Sequence, residues 1–279
     1  MKRFPLLAVL ALLVVSQLQA GPWIKSVATA QKKAKDGNRL IFVDLFAEWC
    51  GWCHKMEQEV FPSEVFQKAT DDMVLLRLDT EDGGEGTQFA QKFSVHSLPT
   101  FLVLTSDMSV AGVIRGYAPA KEFVDSLKGV EKQHEDFQKR VANEASIASD
   151  YKKRLELARD FTQRFALTQS ESRLKKLSTE KGVPNDIRDV SYYELAVAQI
   201  MQKKYPDALK TIAAFGKVQT KGEAYERARL LAGQIYMEQG NILGAANEFR
   251  SFKATFPNSP LVRNVDMVLP DLERRLARR

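Results

Sequence analysis

The chain has 279 residues, 44% hydrophobic and 27% charged, an ordinary globular composition long enough for two domains. The formal net charge of +6 falls to +4 without Lys2 and Arg3, and the remaining basic residues are dispersed. That excludes a concentrated nucleic-acid footprint, so no nucleic-acid partner is expected.

Residues 1–20 read as a signal peptide: Met1-Lys2-Arg3 is basic, residues 6–15 are apolar, and residues 16–20 end on the small Ala20. The apolar run is short for a bilayer span. Next, Trp23, Ile24, Val27, Ala28, Gln31 and Ala34 follow helical spacing, and Gly37 is expected to end that helix. Residues 40–46 read as a buried strand leading into Cys50-Gly51-Trp52-Cys53-His54. Residues 55–61 form a helix with Met56, Val60 and Phe61 on one face. Pro62 breaks it and Ser63 caps the next. A strand at 74–79, a glycine loop at 83–86 and a short helix at 87–93 follow. Strands at 100–104 and 110–114 then turn around Ser106 and Asp107, and a helix at 120–127 closes the unit. This alternation predicts an α/β sheet covered on both faces.

The two cysteines are the chain's complete set and stand two residues apart. A bridge between them closes almost no loop and constrains the unfolded chain little, which favours a reactive pair over a structural staple. Cys50-Gly51-Trp52-Cys53-His54 is also the haem-attachment pattern, with His54 as one axial ligand and a Met, His96 or His134 as the other. Zinc fits poorly, because a helix start does not aim Cys50, Cys53 and His54 at one ion.

The segment Val43-Asp44-Leu45-Phe46-Ala47-Glu48-Trp49-Cys50-Gly51-Trp52-Cys53 resembles the active-site segment of the thioredoxin superfamily. Val95-His96-Ser97-Leu98-Pro99-Thr100-Phe101 resembles that family's cis-proline segment, and Arg115-Gly116-Tyr117 its glycine turn. Cys53-His54-Lys55-Met56-Glu57 is most similar to exported members, among them the C-terminal domain of the bacterial transmembrane thiol reductase. The feeding strand and the Pro99 and Gly116 segments have no role in a cytochrome.

The resemblance implies a thioredoxin-like domain over residues 21–130, exported to the bacterial periplasm, that exchanges disulfides with proteins and works as a reductant. It implies no cofactor beyond a redox-active Cys50–Cys53 disulfide. Cys50, exposed at a helix N-terminus, would attack, and Cys53 would resolve the mixed disulfide. Asp44 would be a buried carboxylate that takes the Cys53 proton. Pro99 would be cis and face the sulfurs, with Leu98 offering its backbone to an extended substrate. Trp49, Gly51, Trp52 and Gly116 would complete the substrate surface. Arg77 aligns loosely with a basic residue that the resemblance places near the buried carboxylate, although an edge-strand cation is the simpler reading. The implied partners are protein thiols and disulfides, with a membrane thiol reductase as electron donor.

Residues 131–279 carry no strand pattern. Ala232, Gly233, Tyr236, Gly240, Ala245, Phe249 and Pro257 fall at tetratricopeptide spacing, and Leu195, Ala196, Ala208 and Ile212 repeat part of it. A third helix pair is expected at 147–182, with Leu155, Ala158, Phe161 and Phe165 on one face, and a capping helix at 260–276. The fold class is therefore an α/β thioredoxin-like domain followed by an all-α, tetratricopeptide-like domain. The second domain is expected to bind a protein or peptide, or to act as a spacer or dimerisation module. The alternative for the whole chain is a redox-sensitive scaffold with little turnover.

Overall fold

A computed structural model describes residues 23–278. The signal peptide expected at 1–20 lies outside the described residues. The chain divides into two compact units, one holding residues up to Asp107 and Val113–Glu131, the other Met108–Gly112 and the residues from Lys132 on.

In the first unit, helix α1 (Val27–Gly37) opens on Ser26, whose Oγ accepts the Thr29 N–H. One sequence expectation is corrected here. Trp23 and Ile24 are not helical; Ile24 bridges Leu76 in parallel, an apolar residue finding the sheet instead of a helix face. The helix ends at Gly37 as its spacing predicts, and the residue that caps it, Asn38, takes the left-handed region (φ 47°), which asparagine tolerates better than most residues.

Strand β1 (Ile41–Phe46) leads through Cys50 into helix α2 (Gly51–Lys55), which continues as a π-helical turn, Met56–Val60. Met56, Val60 and Phe61 are all buried, the face their spacing predicts. Ser63 caps helix α3 (Glu64–Ala69) by accepting the Phe66 N–H. Strand β2 (Val74–Asp79), helix α4 (Glu85–Lys92), strands β3 (Thr100–Leu104) and β4 (Val110–Arg115), and helix α5 (Ala120–Ala142) follow. The helix expected to stop at Leu127 thus runs on to Ala142, because its amphipathic pattern carries through Val130 and Phe137, both buried.

The sheet order is β2-β1-β3-β4, with β1 parallel to β2 and antiparallel to β3. A central strand buried on both faces must be nearly continuous in apolar residues. In β1, Ile41, Phe42, Val43 and Leu45 are fully buried, and only Asp44 departs from that pattern. Phe42 stacks on Phe101 at 5.6 Å and meets Phe66 edge-on at 5.4 Å, while Phe123 packs on Phe101 at 4.8 Å. Truncating a ring at this centre costs about 3–5 kcal/mol. The strand that delivers Cys50 is therefore a central, deeply buried one.

The second unit is helical: α6 (Tyr151–Gln163), α7 (Leu167–Thr179), α8 (Asn185–Met201), α9 (Tyr205–Val218), α10 (Glu223–Glu238), α11 (Ile242–Thr255) and α12 (Val262–Ala277). Each packs on the next, and α8 also packs on α6 and on α10, a layout compatible with stacked helix pairs. Small residues set the approach: a Cβ on Gly233 would lie 2.4 Å from the Phe249 ring. Leu155, Ala158 and Phe161 are buried as their spacing requires. Phe165 does not join them, because the helix has already ended and Phe165 is left-handed (φ 55°).

Candidate active site

Cys50 and Cys53 are joined by a disulfide. Cys50 is the N-cap of α2, with extended backbone (φ −80°, ψ 94°), and its carbonyl accepts the N–H groups of Cys53 and His54. Its Sγ accepts the Cys53 N–H at 3.2 Å. The helix start thus points one backbone donor, the Cys53 N–H, at this sulfur, an arrangement that stabilises a thiolate when the bond is reduced.

The expected exposure of Cys50 is corrected. In the disulfide form Cys50 is 3% and Cys53 2% exposed, because the bonded sulfur turns back over the first helical turn. Exposure belongs to the flanking indoles, Trp49 at 67% and Trp52 at 57%. Gly51 meets no steric demand: the place of a Cβ is open space.

The Leu98–Pro99 peptide is cis. The Pro99 carbonyl accepts the Gly116 N–H at 2.9 Å, and Gly116 takes φ +80°, a conformation glycine supplies without a Cβ penalty. Trp52, Leu98, Pro99, Gly116 and Tyr117 line a groove of about 180 Å³. Four of the residues singled out in the sequence therefore meet around one groove. Trp49 does not line it; its Nε1–H donates to Glu81 Oε1 at 2.8 Å.

Within β1, Asp44 is 1% exposed and pairs in register with Arg77 of β2 and Phe101 of β3. Arg77 is not a free edge cation. Its Nε lies 3.2 Å from Asp44 Oδ2, and its guanidinium donates to both carboxylate oxygens of Glu57, at 2.6 and 3.2 Å. The Nε–H is not aimed at Asp44, and neither it nor Asp44 Oδ1 has a hydrogen-bond partner. Burial therefore dominates: it pushes Asp44 up to about 7, against the attraction of Arg77 and with the help of repulsion from Glu57. Hydrogen bonding to Arg77 holds Glu57 below its ordinary value. His54 sits at the edge of this cluster, Nε2 at 2.8 Å from the Glu48 carbonyl and Nδ1 3.9 Å from Glu57.

A second cleft of about 530 Å³ opens here, lined by residues that include Lys25, Glu48, His54, Glu57 and Arg77. Glu57 and Tyr117 are the participants the sequence reasoning did not assign. For Glu57 the available signal was its place one turn beyond Cys53. Among the described residues no group of histidine, cysteine and acidic side chains is arranged to hold a metal ion.

Residues 27–131 match the family described as a thioredoxin-like domain, and with this sheet, dithiol and proline segment they form one. Within that class the similarity runs to the thiol:disulfide interchange proteins DsbD. The protein of Pasteurella multocida is 34% identical over 101 residues, 35% of this chain and 18% of that protein. That of Ralstonia nicotianae is 29% identical over 107 residues, 38% of this chain and 18% of that protein. The chain therefore spans less than a fifth of these curated relatives. Among solved structures, the oxidised C-terminal domain of Neisseria meningitidis DsbD aligns with a TM-score of 0.35 at 18% identity, covering 39% of this chain and 98% of that one. A thioredoxin from Thermus thermophilus aligns with a TM-score of 0.35 at 22% identity, covering 38% and 84%.

Proposed function

We propose that this protein is an exported thiol–disulfide oxidoreductase that reduces disulfides in protein substrates. The observation that carries the reading is the Cys50–Cys53 disulfide at the start of α2, with Trp52, which stands between the two cysteines in the chain, lining the groove at cis Pro99.

In the reducing direction, the Cys50 thiolate attacks one sulfur of a substrate disulfide. The substrate S–S bond breaks, a mixed disulfide forms, and one substrate thiolate leaves with the electron pair. Cys53 then gives its proton to the Asp44 carboxylate and attacks the Cys50 sulfur. The second substrate thiolate leaves and the Cys50–Cys53 bond forms, so two electrons have passed to the substrate. A carboxyl raised to about 7 is suited to both halves of that proton exchange near neutral pH. Leu98, at the cis bond, presents backbone for an extended substrate, Trp52 and Gly116 line the groove, and Trp49 and Gly51, outside it, offer further contact surface next to Cys50 in the chain.

The similarity to DsbD proteins supports a membrane thiol reductase as electron donor, and residues 1–20 support export to the periplasm. The stacked helices from α6 to α12 support a tetratricopeptide-like domain that binds a protein or peptide partner. Reduction of insulin by the full chain, with dithiothreitol as source of electrons, tests the reading. Cys50→Ser is expected to abolish turnover and Cys53→Ser to accumulate mixed disulfide. Undiminished turnover in Cys50→Ser rejects it, and failure of the unaltered chain to turn over, with retained partner capture, favours the redox-sensitive scaffold.

A further inference from the structure

Tyr117 is held from three sides. Its ring stacks on Trp52, with centroids 5.3 Å apart and 28° between the planes. Its hydroxyl donates to Glu59 Oε2 at 2.5 Å. Lys55 Nζ lies 4.8 Å from the Tyr117 ring centre, 5.6 Å from that of Trp52 and 3.8 Å from Glu59 Oε1. An indole as exposed as Trp52 pays rotamer entropy to hold one orientation; ring stacking and a cation over the faces offset that cost. The charges of Lys55 and Glu59 are engaged with each other and with Tyr117, and the groove itself is lined by five uncharged residues. Trp52, one wall of the groove, lies between the two bonded cysteines in the chain.

We propose that Tyr117, braced by Glu59 and Lys55, is the specificity-determining residue of the dithiol. It fixes Trp52 as one wall of the groove and selects an extended peptide carrying an apolar side chain next to its reacting cysteine. A charged side chain at that place would lose water and find no free partner in the lining. Glu59 and Lys55 are positioning residues that act through Tyr117. The inference rests on the thiol–disulfide exchange reading.

The test uses the full chain carrying Cys53→Ser, so that the reaction stops at the mixed disulfide. Short peptides with one cysteine, flanked by Phe, Leu, Ala, Asp or Lys, are activated as disulfides with thionitrobenzoate. Attack of Cys50 on the peptide sulfur breaks that bond and releases coloured thionitrobenzoate, giving a rate at each peptide concentration. Hydroxyethyl disulfide, which has no side chain for the groove, reports intrinsic Cys50 reactivity through its mixed disulfide, detected by mass.

The Phe and Leu peptides are expected to react about tenfold faster than the Asp peptide, the effect of about 1.4 kcal/mol of binding. The difference should lie in half-saturation and not in limiting rate. Tyr117→Ala and Glu59→Ala should flatten the series, and Glu59→Gln, which still accepts the hydroxyl, should restore much of it. A flat series in the parent, or an unchanged preference in both alanine variants, overturns the inference while leaving thiol exchange intact. Failure of the parent Cys50 to react even with hydroxyethyl disulfide rejects the exchange reading itself.

Discussion

Replacing Asp44 with Asn isolates the most unusual group in the thioredoxin-like domain. The carboxyl is almost wholly buried, and burial raises it from an ordinary 3.8 to about 7. Each unit is worth 1.36 kcal/mol, so ionising Asp44 in the folded protein costs about 4 kcal/mol more than in the unfolded chain. The folded state therefore binds more protons between about pH 4 and pH 7, and Asp44 makes stability fall as pH rises through that window. Asn removes this cost. Arg77 keeps its two bonds to Glu57 in the variant, so the gain at pH 8 should be about 2–4 kcal/mol, and near zero at pH 4, where Asp44 is already protonated.

The three tryptophans, Trp23, Trp49 and Trp52, all lie in the first unit, so indole fluorescence during urea unfolding of the oxidised full chain reports that unit. A variant equally destabilised at pH 4 and pH 8 would refute the reasoning, since it would mean that Asp44 is an ionised, stabilising partner of Arg77. The same substitution should lengthen the life of the mixed disulfide by removing the acceptor of the Cys53 proton.

Glu57→Gln should lower the Asp44 pKa, because it removes a repelling charge and releases the Arg77 guanidinium toward Asp44. The pH profile of mixed-disulfide resolution should then move to lower pH, read by quenched-flow trapping. Gly233→Ala places a methyl 2.4 Å from the Phe249 ring and should destabilise the helical unit by about 1–3 kcal/mol, followed by helical circular dichroism. Asn38→Val puts a branched side chain at φ 47° and should cost about 1–2 kcal/mol in the first unit's fluorescence transition, whereas Asn38→Gly should be nearly neutral.

Much of the thioredoxin-like domain was legible because its signals are local. The Ser63 cap follows from a hydroxyl before a helix, the β1 strand from an apolar run, and the dithiol from its spacing. What local pattern missed was decided by distant contacts. Trp23 and Ile24 fit helical spacing equally well, and the Leu76 bridge places Ile24 in the sheet. For Arg77 local pattern favoured an edge-strand cation over a residue near the buried carboxylate, and the β1–β2 register that sets it opposite Asp44, with the turn after α2 that brings Glu57 to it, decides for the second. Tyr117 belongs to the groove through its stack on Trp52, 65 positions earlier in the chain, and no spacing rule announces that pair. The low exposure of Cys50 is a property of the bonded sulfur, and residue type alone does not carry it.

The central claim is that Cys50 and Cys53 form a reversible redox pair. Equilibrating the full chain in glutathione buffers of graded ratio, quenching with acid and counting alkylated cysteines by mass tests it most directly. The account predicts a single two-electron transition in which Cys50 and Cys53 are reduced together, at a potential more negative than that of the glutathione couple, as a reductant requires. A pair that stays bridged across the whole range, and is not reduced by dithiothreitol under native conditions, would contradict it.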